Sequence, residues 1–222
     1  MKAMMKSMRQ GMLLVAAAWA LAGLFPVPPA FALDGKARLR SADLVYKGAF
    51  AFPAGDAWAY GGHALAYYPG SDSPGPGDGY PGSLYAAGHT QHDLVGEMTI
   101  PGPKRSGDFG ELPRASVLRP LGDITGGWID RCTYMEGCEY REVDGLAYLP
   151  NVGKIAWNLR DWYNVSGFDQ DSLGWSNPDM SQARGVWHIG QRNGSVFHNA
   201  KTCNYLFKAP SAFAEKYLGG RG

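Results

Sequence analysis

Apolar and polar positions along this 222-residue chain alternate over short stretches and seldom recur at helical spacing. Runs of about four to eight residues rich in Val, Ile, Tyr, Phe and Trp lie between Gly and Pro, the punctuation of strands and turns. The pattern predicts strands over Leu44–Phe52, His63–Tyr68, Ser83–Gly88, Asp93–Ile100, Val117–Leu121, Gly145–Leu149, Lys154–Leu159, Gly185–Ile189 and Tyr205–Lys208. One short helix is predicted at Ser211–Leu218, with Ser211 as N-cap and Gly219-Gly220 as the stop. The fold class expected is all-β and antiparallel.

The first residues follow another pattern. Lys2, Lys6 and Arg9 precede an apolar run from Met12 to Phe25, prolines at 26, 28 and 29 close it, and Ala30-Phe31-Ala32 has the small-x-small form that a signal peptidase reads. The run is short for a transmembrane helix, which needs about 20 apolar residues. Residues 1–32 are expected to be a signal peptide, with export to a periplasm or the extracellular space and no membrane anchor after cleavage. Residues 33–222 are then the mature β-repeat domain.

Within that domain the chain resembles itself. Ala64-Leu65-Ala66-Tyr67-Tyr68-Pro69 matches Gly145-Leu146-Ala147-Tyr148-Leu149-Pro150, and Gly82-Ser83-Leu84-Tyr85-Ala86 matches Gly153-Lys154-Ile155-Ala156-Trp157. A third match pairs Leu94–Pro101 with Arg184–Gly190. Each unit spans about 40 residues, the scale of one propeller blade, and its first two segments read as an antiparallel hairpin. The stretch from YGGHALAYYP through DLVGEMTIP to GKIAWNLRDWYN resembles poorly characterised exported bacterial proteins with propeller-like β repeats, over Leu44 to Leu218. The resemblance implies an exported β-repeat domain and brings no catalytic residues with it. At about 40 to 45 residues per blade, residues 33–222 hold about four blades at most. The expectation is therefore antiparallel propeller-like blades forming an incomplete propeller, or the N-terminal part of a longer one, with a β-sandwich as the alternative.

Composition narrows the partners. The 21 basic and 20 acidic side chains leave no electrostatic footprint for nucleic acid. Loss of residues 1–32, which carry three basic and no acidic side chains, takes the formal charge from +1 to −2. Cys132 and Cys138, separated by a short polar loop, are expected to form a disulfide, as suits an oxidising compartment, with Cys203 left over.

Two stretches concentrate chemistry. His89-Thr90-Gln91-His92-Asp93 puts two imidazoles and a carboxylate in one turn, and His63 is expected to approach it if the sheet curls. Asn158, Arg160, Asp161 and Trp162 sit at a strand end, where β folds place ligand sites. Asp161, Asp169 and Asp171 offer oxygen ligands of the kind calcium takes, without the closing Glu of an EF-hand loop; no other cofactor is indicated. Glycoside hydrolysis would need two carboxylates drawn from Glu97, Glu111, Glu136, Glu139, Glu142 or the aspartates. Trp157, Trp162, Trp175 and Trp187 either fill the core or stack on a sugar. No nucleophile elbow, phosphate loop or zinc helix motif is present. The function expected is ligand binding or scaffolding for an unidentified small molecule or glycan. The alternatives are a divalent-cation-dependent propeller hydrolase and a carbohydrate-binding β-sandwich.

Overall fold

The computed structural model describes residues 40–72, 79–130, 141–161, 171–190, 199, 202 and 206–220. It divides into two units, residues 1–46 and 47–222. In the first, the described residues carry a 3-10 turn, Ser41–Asp43, where the Asp43 carboxylate accepts the Arg40 amide at 2.8 Å. The expected signal peptide lies outside the described residues.

Among its described residues the second unit is all-β apart from short helical turns and one helix, α1 (Ser211–Tyr217). Strands β1 (Leu65–Tyr68), β2 (Gly79–Ala87), β3 (Val95–Pro101) and β4 (Val117–Gly122) form one antiparallel sheet in chain order. Strands β5 (Arg141–Leu149), β6 (Lys154–Asp161), β7 (Leu173–Ser176) and β8 (Arg184–Trp187) form a second with the same order. The two sheets pack together around one apolar cluster.

The internal match is reproduced in the pairing. Leu65, Ala66, Tyr67 and Tyr68 face Ala86, Tyr85, Leu84 and Ser83, while Leu146, Ala147, Tyr148 and Leu149 face Trp157, Ala156, Ile155 and Lys154. The third strands correspond as well, because Ala86 pairs with Gly96 and its counterpart Trp157 pairs with Gly174. This corrects the third match, since the partner of β3 is β7, and Arg184–Trp187 is the fourth strand. Leu173–Ser176 escaped prediction because four residues with a central glycine carry too little alternation to register.

Strands β1 and β5 run side by side in the same direction. His63 Nε2 lies 3.0 Å from the Val143 carbonyl at one end, and the Tyr68 and Tyr148 rings meet at 4.9 Å at the other, both at an offset of 80 residues. Equivalent residues, such as Leu65 and Leu146, stand one further apart. Side chains alternate faces along a strand, so this odd difference sets one face of the first sheet against the opposite face of the second. Ala64, Ala66, Tyr85, Ala87 and Val95 thus meet Leu146, Ile155, Trp157 and Leu159.

Trp157 is the largest side chain in this core and is fully buried. It lies across Gly174, where a Cβ would overlap the indole, and its Nε1 donates to Ser176 Oγ at 2.9 Å. In the first sheet Ala86 takes the place of Trp157, and the space over Gly96 is filled from elsewhere. Trp58 covers it, 2.8 Å from where a Cβ would be. That explains why Leu44–Phe52 is not a strand. Among the described residues its only pairings are isolated bridges from Ala49 to Lys104 and from Ala51 to Arg114, and Phe50, Phe52 and Trp58 pack instead over Ala86, Met98 and Ala115.

Leu206 to Lys208 likewise form no strand; Tyr205 is outside the described residues. The helix forms as predicted, with Pro210 at the N-cap position instead of Ser211. The expected disulfide between Cys132 and Cys138 is corrected: among the described residues there is no disulfide bond, and Cys132, Cys138 and Cys203 lie outside them. A five-residue spacer permits closure but supplies no geometry that compels it.

Gly174→Ala should lower stability by about 1–3 kcal/mol, because the added methyl displaces a fully buried indole. Urea unfolding measures this, and unchanged stability would show that Trp157 does not lie across β7.

Candidate functional site

The faces that meet between the sheets are apolar beside β1 and β5 and turn polar toward the far strands. One row across the first sheet reads Ala66, Tyr85, Glu97, Arg119, each paired with the next. Glu97 is a charged residue in a strand otherwise buried along most of its length. Burying a carboxylate is costly unless partners replace its water, and three do so. Ser83 Oγ donates to Oε1 at 2.6 Å, the Tyr85 hydroxyl donates to Oε2 at 3.1 Å, and Arg119 Nε stands 3.6 Å from Oε2.

The Tyr85 hydroxyl is also a short hydrogen-bond distance from the Pro178 carbonyl in the β7–β8 turn. A phenol carries one proton, so it serves one of the two acceptors at a time and ties the second sheet to the carboxylate of the first. Burial, and then the charge on Glu97, hold the Tyr85 hydroxyl well above the ordinary tyrosine range, so it remains a donor. Burial also raises Tyr68, with Tyr148 and Glu97 adding to the shift.

Above these groups opens a cleft of about 450 Å³, lined by Tyr68, Tyr85, Glu97 and Arg119 from the first sheet and by Asn177 and Asp179 from the β7–β8 turn. Asp179 is held ionised, its carboxyl lowered by the hydroxyl and amide of Ser181. The lining thus carries two carboxylates, a guanidinium, an amide and two phenols. It can donate to and accept from a polar ligand on several sides and lay an aromatic face beside it.

The residues singled out from sequence gather at the opposite end of β1 and β5. His63 reaches the Val143 carbonyl. His89 and His92 have ring centroids 5.4 Å apart, with Tyr60 edge-on to His89 at 5.5 Å. Asp93 instead belongs electrostatically with Glu142 and Asp130, and Glu142 is ion-paired with Arg160, which also stands 3.5 Å from Asp144. Asp93 and Arg160, from the two separate stretches, therefore converge on one strand. Asn158 is buried and donates to the Thr202 carbonyl, and Asp161 is buried opposite Arg141. Trp162 and Asp169 lie outside the described residues. Among the described residues no group of three or more His, Cys, Asp or Glu side chains is arranged to hold a metal ion.

Of the cleft residues, sequence reading raised only Glu97, as one of many carboxylates. A charge in the middle of the buried run Val95–Pro101 was the available signal. Arg119, Asn177 and Asp179 carried none, because their role depends on pairing between distant segments. No family model, curated protein or solved structure matches the chain. Among the described residues no helix is long and apolar enough to cross a membrane.

Burial, then repulsion from Glu142 and Asp130, push the Asp93 carboxyl up to about 7. Its unfolded value is about 3.9, so between those values the folded protein holds the extra proton. Stability should therefore fall as pH rises from about 4 to 7 and be level above. Asp93→Asn should remove that slope and stabilise the protein at pH 8 by about 1–2 kcal/mol, the full shift being reduced by the residue's partial exposure. Thermal melts across pH check this, and parallel pH profiles for the two proteins would refute it.

Proposed function

We propose that this chain is an exported all-β domain that binds a small polyhydroxylated ligand, a sugar, in the cleft between its two sheets. The single observation that carries the reading is the Glu97 assembly opening on that cleft. Carboxylates, amides and guanidinium groups fixed in place suit hydroxyls that both donate and accept, and pre-fixed donors avoid ordering costs when the ligand arrives.

The parts divide by exposure. Glu97 is almost wholly buried, whereas the Arg119 side chain keeps more than a third of its surface. Glu97 therefore acts from below as an anchor, orienting Arg119 and Tyr85. Arg119, Asn177, Asp179 and the Tyr68 ring are the groups a ligand meets. Two four-stranded antiparallel sheets packed on each other support the β-sandwich alternative better than the propeller. The basic, apolar and small-x-small succession of residues 1–32 supports export.

Arg119→Ala and Asp179→Ala should each weaken sugar binding by about tenfold, the loss of one charge-assisted hydrogen bond. Titration calorimetry with glucose, galactose, N-acetylglucosamine and galacturonic acid measures it. Absence of binding to all four, or unmutated affinity in both variants, would sink the cleft reading.

A further inference from the structure

Asn177 of the cleft wall also makes a contact beyond the cleft. Asn177 Oδ1 accepts from Lys154 Nζ, and that ammonium stands 4.7 Å from the centre of the Trp175 ring. Trp175 stacks with Trp187 at 6.2 Å and 29° between planes. These indoles are not core. Gly174 and Ser176 turn inward under and beside Trp157, so Trp175 faces outward from the second sheet. Trp187 pairs with Leu173, in the same outward set, and is 45% exposed.

An indole left in water forgoes much of the stabilisation that its burial would give. Here two indoles stand together, joined by Lys154 to a residue of the cleft wall. Arg184, exposed and paired with Trp175, adds donors along the edge. An aromatic surface flanked by fixed hydrogen-bond donors has the chemistry of a pyranose ring, whose faces carry C–H groups and whose rim carries hydroxyls.

We propose that Trp175 and Trp187 form a second subsite continuous with the cleft, so that the ligand is an oligosaccharide chain, one unit held by the Arg119 cleft and later units carried over the indoles. This rests on the sugar reading of the cleft. The cleft supplies selectivity through fixed polar groups, and the indoles supply affinity that grows with chain length.

Calorimetry and tryptophan fluorescence with cello-, chito- and galacturono-oligosaccharides, from monosaccharide to hexasaccharide, test it. Affinity should rise about tenfold beyond the shortest ligands, with a change in emission that the monosaccharide does not produce. Trp187→Ala should abolish that gain and leave monosaccharide affinity unchanged, and Trp187→Tyr should restore most of it. If sugars bind with no dependence on length, or if Trp187→Ala weakens all lengths equally, the second subsite is overturned and the cleft stands. If no sugar of any length binds, the cleft reading falls and this inference with it.

Discussion

The packing of β1 against β5 governs the rest of the molecule. Two sheets with matched register are set side by side with a stagger one residue short of their repeat. In a strand one residue exchanges the faces, so each sheet offers its neighbour a different surface. Ala66 and Tyr85 face inward from the first sheet, and the inward residues of the second are Leu146 and Trp157. Alanines of the first sheet therefore meet large residues of the second. That is how a repeated sequence can fill a core to protein density without meeting copies of its own bulky groups.

The same relation creates a problem at the outer faces, which are the inner faces of the other unit in disguise. The first sheet carries Gly96 on its outer side, where its counterpart Gly174 receives the indole of Trp157. Trp58 covers that glycine, and Phe50 and Phe52, from the segment that reads as a strand in the sequence, pack beside it. Apolar residues there serve as a lid on the sheet. Burying these rings contributes more than the few ladder bonds that an added strand would make at that position. In the second sheet the outward indoles are provided at β7 and β8 by Trp175 and Trp187, and they remain partly in water.

This geometry explains what the sequence made legible. Alternation and the LAY-x-P hairpins located seven of the eight strands and read both hairpins as antiparallel, because hairpins are local and their turns lie nearby in the chain. Leu173–Ser176 was lost because a glycine interrupts its alternation, and that glycine is present because Trp157 lies over it. Leu44–Phe52 has strand composition, yet a covering segment needs the same residues. Composition cannot separate the two uses without knowledge of what stands below.

The candidate site was less legible for a related reason. Histidines and aspartates draw attention as side chains that do chemistry, and the sequence places them in turns. The structure gathers several of them at one end of β1 and β5, where Glu142 and Asp144 are paired with Arg160 and Asp93 is raised toward neutrality. That end is organised around neutralising buried charge. At the other end, polar groups cross the interface between sheets, and Tyr85 connects a carboxylate of one sheet to a turn of the other. A phenol with one proton and two acceptors holds the two sheets in register with each other. Any ligand that rearranges the floor of the cleft must therefore act on the sheet interface as well, which couples occupancy of the cleft to the packing that defines the fold.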